Sequence, residues 1–223
     1  MTDLRSKLFS FRAISGIWIF LILSGIGIIS GAFSVFGAET ADVVDYRTFF
    51  GFDPRTTVWI IAELHLMFGA FVLGVPMFAV TVEYVGVLTK EERYDRLAKD
   101  FTRLLSASFA LTAALGGLLT FALFTLYPKV MTFMSGIFHE SFYIYAFFFF
   151  GETFVLYFYY YSWDRLKKRK GIHITAGVLL NIIGLIIMGI SNSWATYMMS
   201  PSGIDPETMK FTGTLMDAIW NPL

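Results

Sequence analysis

The chain alternates between long apolar runs and short polar segments. There are five long apolar runs, at about residues 13–36, 57–83, 101–127, 132–163 and 172–199. A helix needs about 20 apolar residues to cross a hydrocarbon core roughly 30 Å thick, and each run is at least that long. The pattern therefore predicts an all-α fold: a polytopic membrane helix bundle with about five transmembrane helices.

The overall composition agrees with a membrane protein. Hydrophobic residues make up 56% of the chain and charged residues only 15%, whereas soluble domains carry about 25% charged residues. The chain has no cysteine, which excludes disulfides, zinc–thiolate sites and iron–sulfur ligation by this chain. The 25 phenylalanines suit packing around a large flat ligand, and they suit lipid-facing helices equally well.

The distribution of Lys and Arg predicts the orientation. These residues concentrate at the N-terminus and in segments 84–100 and 164–170, and they are sparse in 37–56, 128–132 and 201–223. The positive-inside rule then predicts a cytoplasmic N-terminus and an external C-terminus. The residues interpreted as topology anchors, rather than as a lipid or nucleic-acid site, are Arg165, Lys167, Lys168, Arg169 and Lys170.

The domain organisation follows from the same pattern. We predict an additional N-terminal transmembrane helix within residues 1–36, an external loop at 37–56, and a four-helix bundle with an external C-terminal tail at 57–223. The charged segment 84–100 is expected to separate two of these spans.

Two histidines are candidate metal or heme ligands. His65 lies about eight residues, or about 12 Å, inside the outer end of its predicted helix. An ionisable residue at such a depth costs a few kcal/mol and usually has a function. His139 lies near the outer end of the fourth span, and two facing imidazoles could bind one heme iron. The alternative for His65 is a buried histidine that is satisfied by Glu63, a backbone carbonyl or a neighbouring helix.

Glu152 is the acidic candidate, because it lies in the middle of the fourth apolar run. A carboxyl group at that depth is protonated or paired. It could relay protons, contact a quinone or line a heme, or it could simply form a hydrogen bond between helices. Glu83 and His173 fall at the ends of spans, and we expect both to be residues of the membrane interface.

Several short motifs occur in a fixed order from residue 59 to the end of the chain. They are His65 with Phe71-Val72-Leu73-Gly74, the segment Glu83-Tyr84-Val85-Gly86-Val87-Leu88-Thr89-Lys90, Gly116-Gly117-Leu118, Glu152 followed by Trp163-Asp164-Arg165-Leu166, and Asn192-Ser193-Trp194. Together they resemble the N-terminal four-helix half of cytochrome bd quinol oxidase subunit I. The Trp-Asp-Arg-Leu motif after the aromatic, acidic helix is the most specific piece.

The resemblance implies a membrane subunit of a bd-like respiratory redox complex in a prokaryotic cytoplasmic membrane. It implies heme of unknown type, with His65 on the heme iron. Glu152 is expected to line the heme or a proton path, and His139 remains a further candidate cofactor-binding residue. Electrons would pass between quinone and another acceptor, with partner redox subunits, one of which would resemble the other half of the family protein. The chain would not be catalytic alone.

One departure from the family leaves alternatives open. The family carries acidic residues on its second and third helices, and the matching positions here are near Phe121 and Ile144, which cannot carry protons. The chain could therefore be a heme-free structural or docking subunit. It could also be half of a split quinol:oxygen oxidoreductase.

Overall fold

A computed structural model describes residues 48, 49, 51–208 and 210–220 of the chain. The described part contains four long helices, α1 (Pro54–Thr89), α2 (Glu92–Leu126), α3 (Pro128–Tyr161) and α4 (Lys170–Met199), and a short one, α5 (Leu215–Ile219). Each long helix is long and apolar enough to cross a membrane. The prediction of an all-α, polytopic membrane bundle is confirmed. The predicted span at 13–36 lies outside the described residues, and the predicted orientation stays a prediction.

The start of α1 is fixed by local chemistry. Asp53 accepts hydrogen bonds from the backbone N–H of Thr56 at 3.0 Å and from its hydroxyl at 2.6 Å. Pro54 occupies the first turn, where a missing N–H has no cost. These groups begin the helix three residues before the predicted start. The helix then continues through Pro76 to Thr89.

The charged segment 84–100 lies between two apolar runs, and most of it is helical. Only Lys90 and Glu91 lie outside helices, and Lys90 makes the turn in a left-handed conformation with φ of 59°. Glu, Lys, Arg and Leu favour helix strongly, so the apolar helices extend through the charged residues. As a result, α1 and α2 form one tight helical hairpin.

Contacts between side chains show that consecutive helices run antiparallel. Gly86 lies against Tyr94 near the turn between α1 and α2, while His65 lies against Gly116 farther along. In the second hairpin Tyr159 stacks on His173 at 4.3 Å, and Phe138 meets Tyr197 at 5.2 Å. Helix α4 also packs on α1, so the four helices form a closed bundle.

The bundle has two different ends. The basic end holds the turn at 90–91 and the connection 162–169, and the tail end holds the starts of α1 and α3 and the segment 201–220. That segment folds back, and Ala218 of α5 is fully buried against Phe138 and Tyr197. Thr214 and Asp217 form a capping box that begins α5. The terminal segment is therefore packed on the bundle.

The interior and the surface of the bundle are both apolar, as expected of a multi-pass membrane protein. Leu105, Phe109 and Leu156 are buried at the centre. Large side chains such as Phe147 and Phe154 are more than half exposed on α3. Such exposed rings suit contact with lipid, because lipid tails are as apolar as the side chains themselves.

Candidate functional site

His65 lies in the α1–α2 interface and has one defined hydrogen bond. Its Nδ1 is 3.1 Å from the backbone carbonyl oxygen of Thr112 on α2. A carbonyl oxygen can only accept, so we assign the ring proton to Nδ1. Nε2 then carries a free lone pair, which is the form of imidazole that binds metals. Glu63 lies on the exposed surface of α1, so the partner of His65 is a backbone carbonyl of the neighbouring helix.

The space around His65 is shaped by glycines. A Cβ atom at Gly116 would lie 2.9 Å from Cε1 of the ring, so only glycine allows the imidazole to approach α2 this closely. Gly69 follows His65 by one turn on α1, and a Cβ atom there would meet nothing within 4 Å. His65 itself is only partly buried. The site thus combines a fixed imidazole with open space beside it.

His139 lies elsewhere on the bundle. It is exposed on α3, and its ring meets the edge of Tyr143 at 6.3 Å. Leu73 and Glu152 lie in one layer, since both approach Gly184. Counting from that layer, His139 lies 13 residues and His65 only 8 residues towards the tail end, a difference of about 7 Å along the helix axis. The structure does not bring the two histidines together.

Glu152 borders a separate cavity between α1, α3 and α4. The cavity has a volume of about 350 Å³, and apolar side chains form most of its wall. Glu152 is 6% exposed, and its Oε1 packs against Gly184. Asn181 also lines the cavity, and its buried Oδ1 has no hydrogen-bond partner. Glu152 and Asn181 therefore form a small polar spot in an apolar chamber that is distinct from the site at His65.

The two positions expected to be acidic in the family lie on the bundle surface. Phe121 is 61% exposed on α2, and Ile144 is 46% exposed on α3. A carboxylate at either position would face lipid or a partner protein. The apolar residues present here agree with the first of these environments.

A second polar cluster lies at the basic end and was not predicted. We call it the basic-end cluster, and its members are Glu83 of α1, Asp95 of α2, Tyr159 of α3, and Lys170 and His173 of α4. The carboxylate of Glu83 accepts hydrogen bonds from the Tyr159 hydroxyl and from Lys170 Nζ, both at 2.8 Å. Lys170 also pairs with Asp95. All four long helices thus contribute to one network.

His173 completes the basic-end cluster. Its Nε2 lies 2.8 Å from the carbonyl oxygen of Tyr159 and must donate to it, and its Nδ1 lies 2.7 Å from Glu83 Oε1. A proton is therefore shared between Nδ1 and the Glu83 carboxyl group. Trp163 closes the cluster: it covers the His173 ring at 4.5 Å, and its indole donates to Asp95 at 3.3 Å.

These contacts correct one expectation from the sequence, that His173 is solvated. Glu83 and His173 were expected to be interface residues, with His173 solvated, but they are 1% and 0% exposed and lie between helices at the basic end. Lys170 is 17% exposed and pairs with two carboxylates, and its interpretation as a topology anchor stays a prediction. The charges are buried because each one finds a partner on another helix.

The missed cluster had one usable signal in the sequence. Glu83 and His173 are 90 positions apart, so no local motif joins them. However, ionisable residues stand at the same ends of neighbouring spans, and antiparallel spans bring those ends together.

Comparison with protein families agrees with this architecture. The family model described as cytochrome bd terminal oxidase subunit I matches residues 54–223, which include all four long helices and the terminal segment. A comparison with curated proteins gives no significant match. The family match covers about three-quarters of the chain and begins where α1 begins. The chain therefore belongs to the family of cytochrome bd terminal oxidase subunit I, which are respiratory membrane oxidase subunits.

Proposed function

We propose that this protein is a heme-binding subunit of a bd-like respiratory complex, in which Nε2 of His65 would bind the heme iron. When bound, the heme would supply one-electron redox chemistry. Electrons would pass between a quinone pool and another redox centre of the complex. The observation that carries the proposal is the hydrogen bond from His65 Nδ1–H to the Thr112 carbonyl oxygen.

The hydrogen bond fixes the tautomer of His65 in the form that a metal-binding histidine needs. Metal-ligating histidines almost always donate their second ring N–H to a carboxylate, carbonyl or water, which fixes the tautomer and raises the basicity of the ligand. Here the acceptor is a backbone oxygen on a rigid helix, so the ring orientation depends on the α1–α2 packing. Nε2 is left free to bind a metal.

The surroundings of His65 support a site shared with a partner. The gap next to Gly69 offers room beside the imidazole. Leu64 and Leu66 flank the histidine in sequence and are 42% and 62% exposed. A macrocycle held by His65 would need apolar cover that these side chains alone do not give. A partner subunit packed against this part of α1 would exclude water and help to set the redox potential.

Glu152 and His139 have different places in the proposal. Glu152 would hold a proton within its own apolar cavity, which the buried Asn181 Oδ1 also lines. His139 is exposed on α3, so it could contact only a group bound on the outer surface of that helix. Neither residue shares the ligand site of His65.

A pair of histidine variants tests the ligand assignment. In the purified complex, His65→Ala should remove heme or shift its reduced-minus-oxidised spectrum, whereas His139→Ala should leave both unchanged. The control removes an imidazole from the same chain without touching the α1–α2 interface. An unchanged heme content and spectrum in His65→Ala would refute the assignment. A pyridine hemochrome assay that finds no heme in the wild-type complex would instead favour a structural docking subunit.

A further inference from the structure

A second, smaller cavity lies at the basic end, where α3 leaves the membrane. Its volume is about 210 Å³, and it is lined by Phe158, Tyr161, Ser162, Arg165 and Leu166. The cavity thus has aromatic and aliphatic walls on the side of the span and a guanidinium group on the side of the charged connection.

The cavity contains a polar group without a partner. Ser162 is 7% exposed, and its buried hydroxyl oxygen has no hydrogen-bond partner among the residues that the structure describes. The backbone of Ser162 is satisfied, because its N–H donates to the Phe158 carbonyl at 2.9 Å and its carbonyl accepts from Leu166 at 2.8 Å. Leaving a buried hydroxyl unpaired is unfavourable. A ligand with acceptor oxygens would satisfy it, since a serine hydroxyl can rotate towards an acceptor.

The charges around the cavity leave Arg165 available. Asp164, its sequence neighbour, is held by Lys99 at 2.8 Å, and Lys167 lies 3.7 Å from Glu92. Lys170 is bound within the basic-end cluster. Arg165 makes no hydrogen bond or ion pair with any residue that the structure describes, and it is exposed. The cation beside the unpaired hydroxyl is therefore free to bind an anion.

We propose that this cavity binds the phosphate of an anionic phospholipid. Arg165 pairs with the phosphate, the Ser162 hydroxyl donates to it, and an acyl chain lies along Phe158 and the 66%-exposed Phe154 one turn earlier on α3. Guanidinium suits phosphate because it can donate two parallel hydrogen bonds. The position at the end of a membrane span puts the cation near the depth of lipid headgroups. The site is independent of the proposed heme.

Arg165 and its neighbours also favour a net negative lipid. Lys168 and Arg169 follow it and are exposed, with no carboxylate partner in the described part of the chain. Basic residues next to a membrane surface attract anionic lipids. The segment first interpreted as a topology anchor thus contains one residue with a specific ligand.

The experiment is native mass spectrometry of the complex containing the full chain, purified with defined lipids. We expect phosphatidylglycerol to be retained more strongly than phosphatidylcholine, and Arg165→Gln to reduce that retention at least about fivefold. Lys168→Gln is the matched control, since it removes the same charge from the same segment without lining the cavity. Ser162→Ala should reduce retention roughly threefold through loss of one hydrogen bond. It tests the site even if Arg165→Gln fails to fold.

Three outcomes would overturn the proposal. Equal losses in Arg165→Gln and Lys168→Gln would show a general surface attraction rather than a site. Displacement of the lipid by excess inorganic phosphate would show a site for the free anion. Displacement by a quinone would show a quinone pocket. Retention of phosphatidylglycerol in the presence of both competitors, with loss in the two cavity variants, supports the lipid site.

Discussion

Replacing Glu83 with glutamine should destabilise the bundle strongly. Three donors converge on its carboxylate, from Tyr159, Lys170 and His173, at 2.7–2.8 Å. Glutamine has the same size but no charge. Its amide N–H groups would face the donors that now bind the carboxylate. Breaking a buried ion pair by neutralising one partner costs about 3–5 kcal/mol when the other charge is left uncompensated. Because Asp95 still pairs with Lys170, we expect a cost near the lower end of that range.

The chain offers a matched control in Asp164→Asn. The Lys99–Asp164 pair has the same 2.8 Å separation as Lys170–Glu83, but the Asp164 side chain is 82% exposed and the Glu83 side chain is 0% exposed. Solvent-exposed pairs contribute about 0–1 kcal/mol. The two variants therefore change the same interaction type and differ in burial.

The assay is the free energy of unfolding by steric trapping in bicelles, compared among wild type, Glu83→Gln and Asp164→Asn. Similar values for the two variants would refute the reasoning, because they would show that burial does not set the cost. A double variant adds a further check. Glu83→Gln with Lys170→Met removes one charge of each sign, so its cost should be smaller than the sum of the two single costs.

Three more predictions follow from the same contacts. Gly116→Ala should push the His65 ring away from Thr112, since the added Cβ lies 2.9 Å from Cε1, and it should weaken heme binding measured by titration. Gly177→Ala should destabilise the bundle by about 1–3 kcal/mol, because the new methyl group overlaps Val80 on α1. Hydrogen bonds from Thr214 hold the pKa of Asp217 below its usual range. The cap of α5 is therefore stable above the ordinary carboxyl pKa, and it is lost as the pH falls through the lowered value.

Each of these predictions has an internal control. Gly189→Ala adds the same methyl group where no described atom lies within 4 Å, so it should reduce neither heme binding nor stability. Opening of the α5 cap is followed by fluorescence of the neighbouring Trp220, read as the difference from Trp220→Phe across pH. Asp217→Asn should abolish the transition, and a transition that persists in this variant would contradict the assignment to Asp217.

The apolar runs were sufficient to predict the fold class and four of the helices, because a membrane span needs a length and composition that are visible in sequence. The helix ends were less predictable. The charged stretch 84–100 separates two apolar runs in the sequence. It consists largely of strong helix formers, so it is helical except at Lys90 and Glu91. The family match over residues 54–223 then confirms the resemblance that the motifs indicated.

The candidate site was predicted only in part. The position of His65 within an apolar run identified it as a candidate. However, the carbonyl that fixes its tautomer belongs to Thr112, 47 positions away. The basic-end cluster was missed because Glu83 and His173 each lie where a charge costs little, at the end of a span. Their burial results from the packing of four helix ends, so it cannot be predicted from any single segment.

The division of charge within the basic-end cluster has a consequence for biogenesis. The α1–α2 hairpin contributes both carboxylates, Glu83 and Asp95, and the α3–α4 hairpin contributes both basic groups, Lys170 and His173. In either hairpin alone, these groups would lack the partners that the other hairpin supplies. Docking of the two hairpins brings the partners together, so the complete network forms only in the assembled bundle.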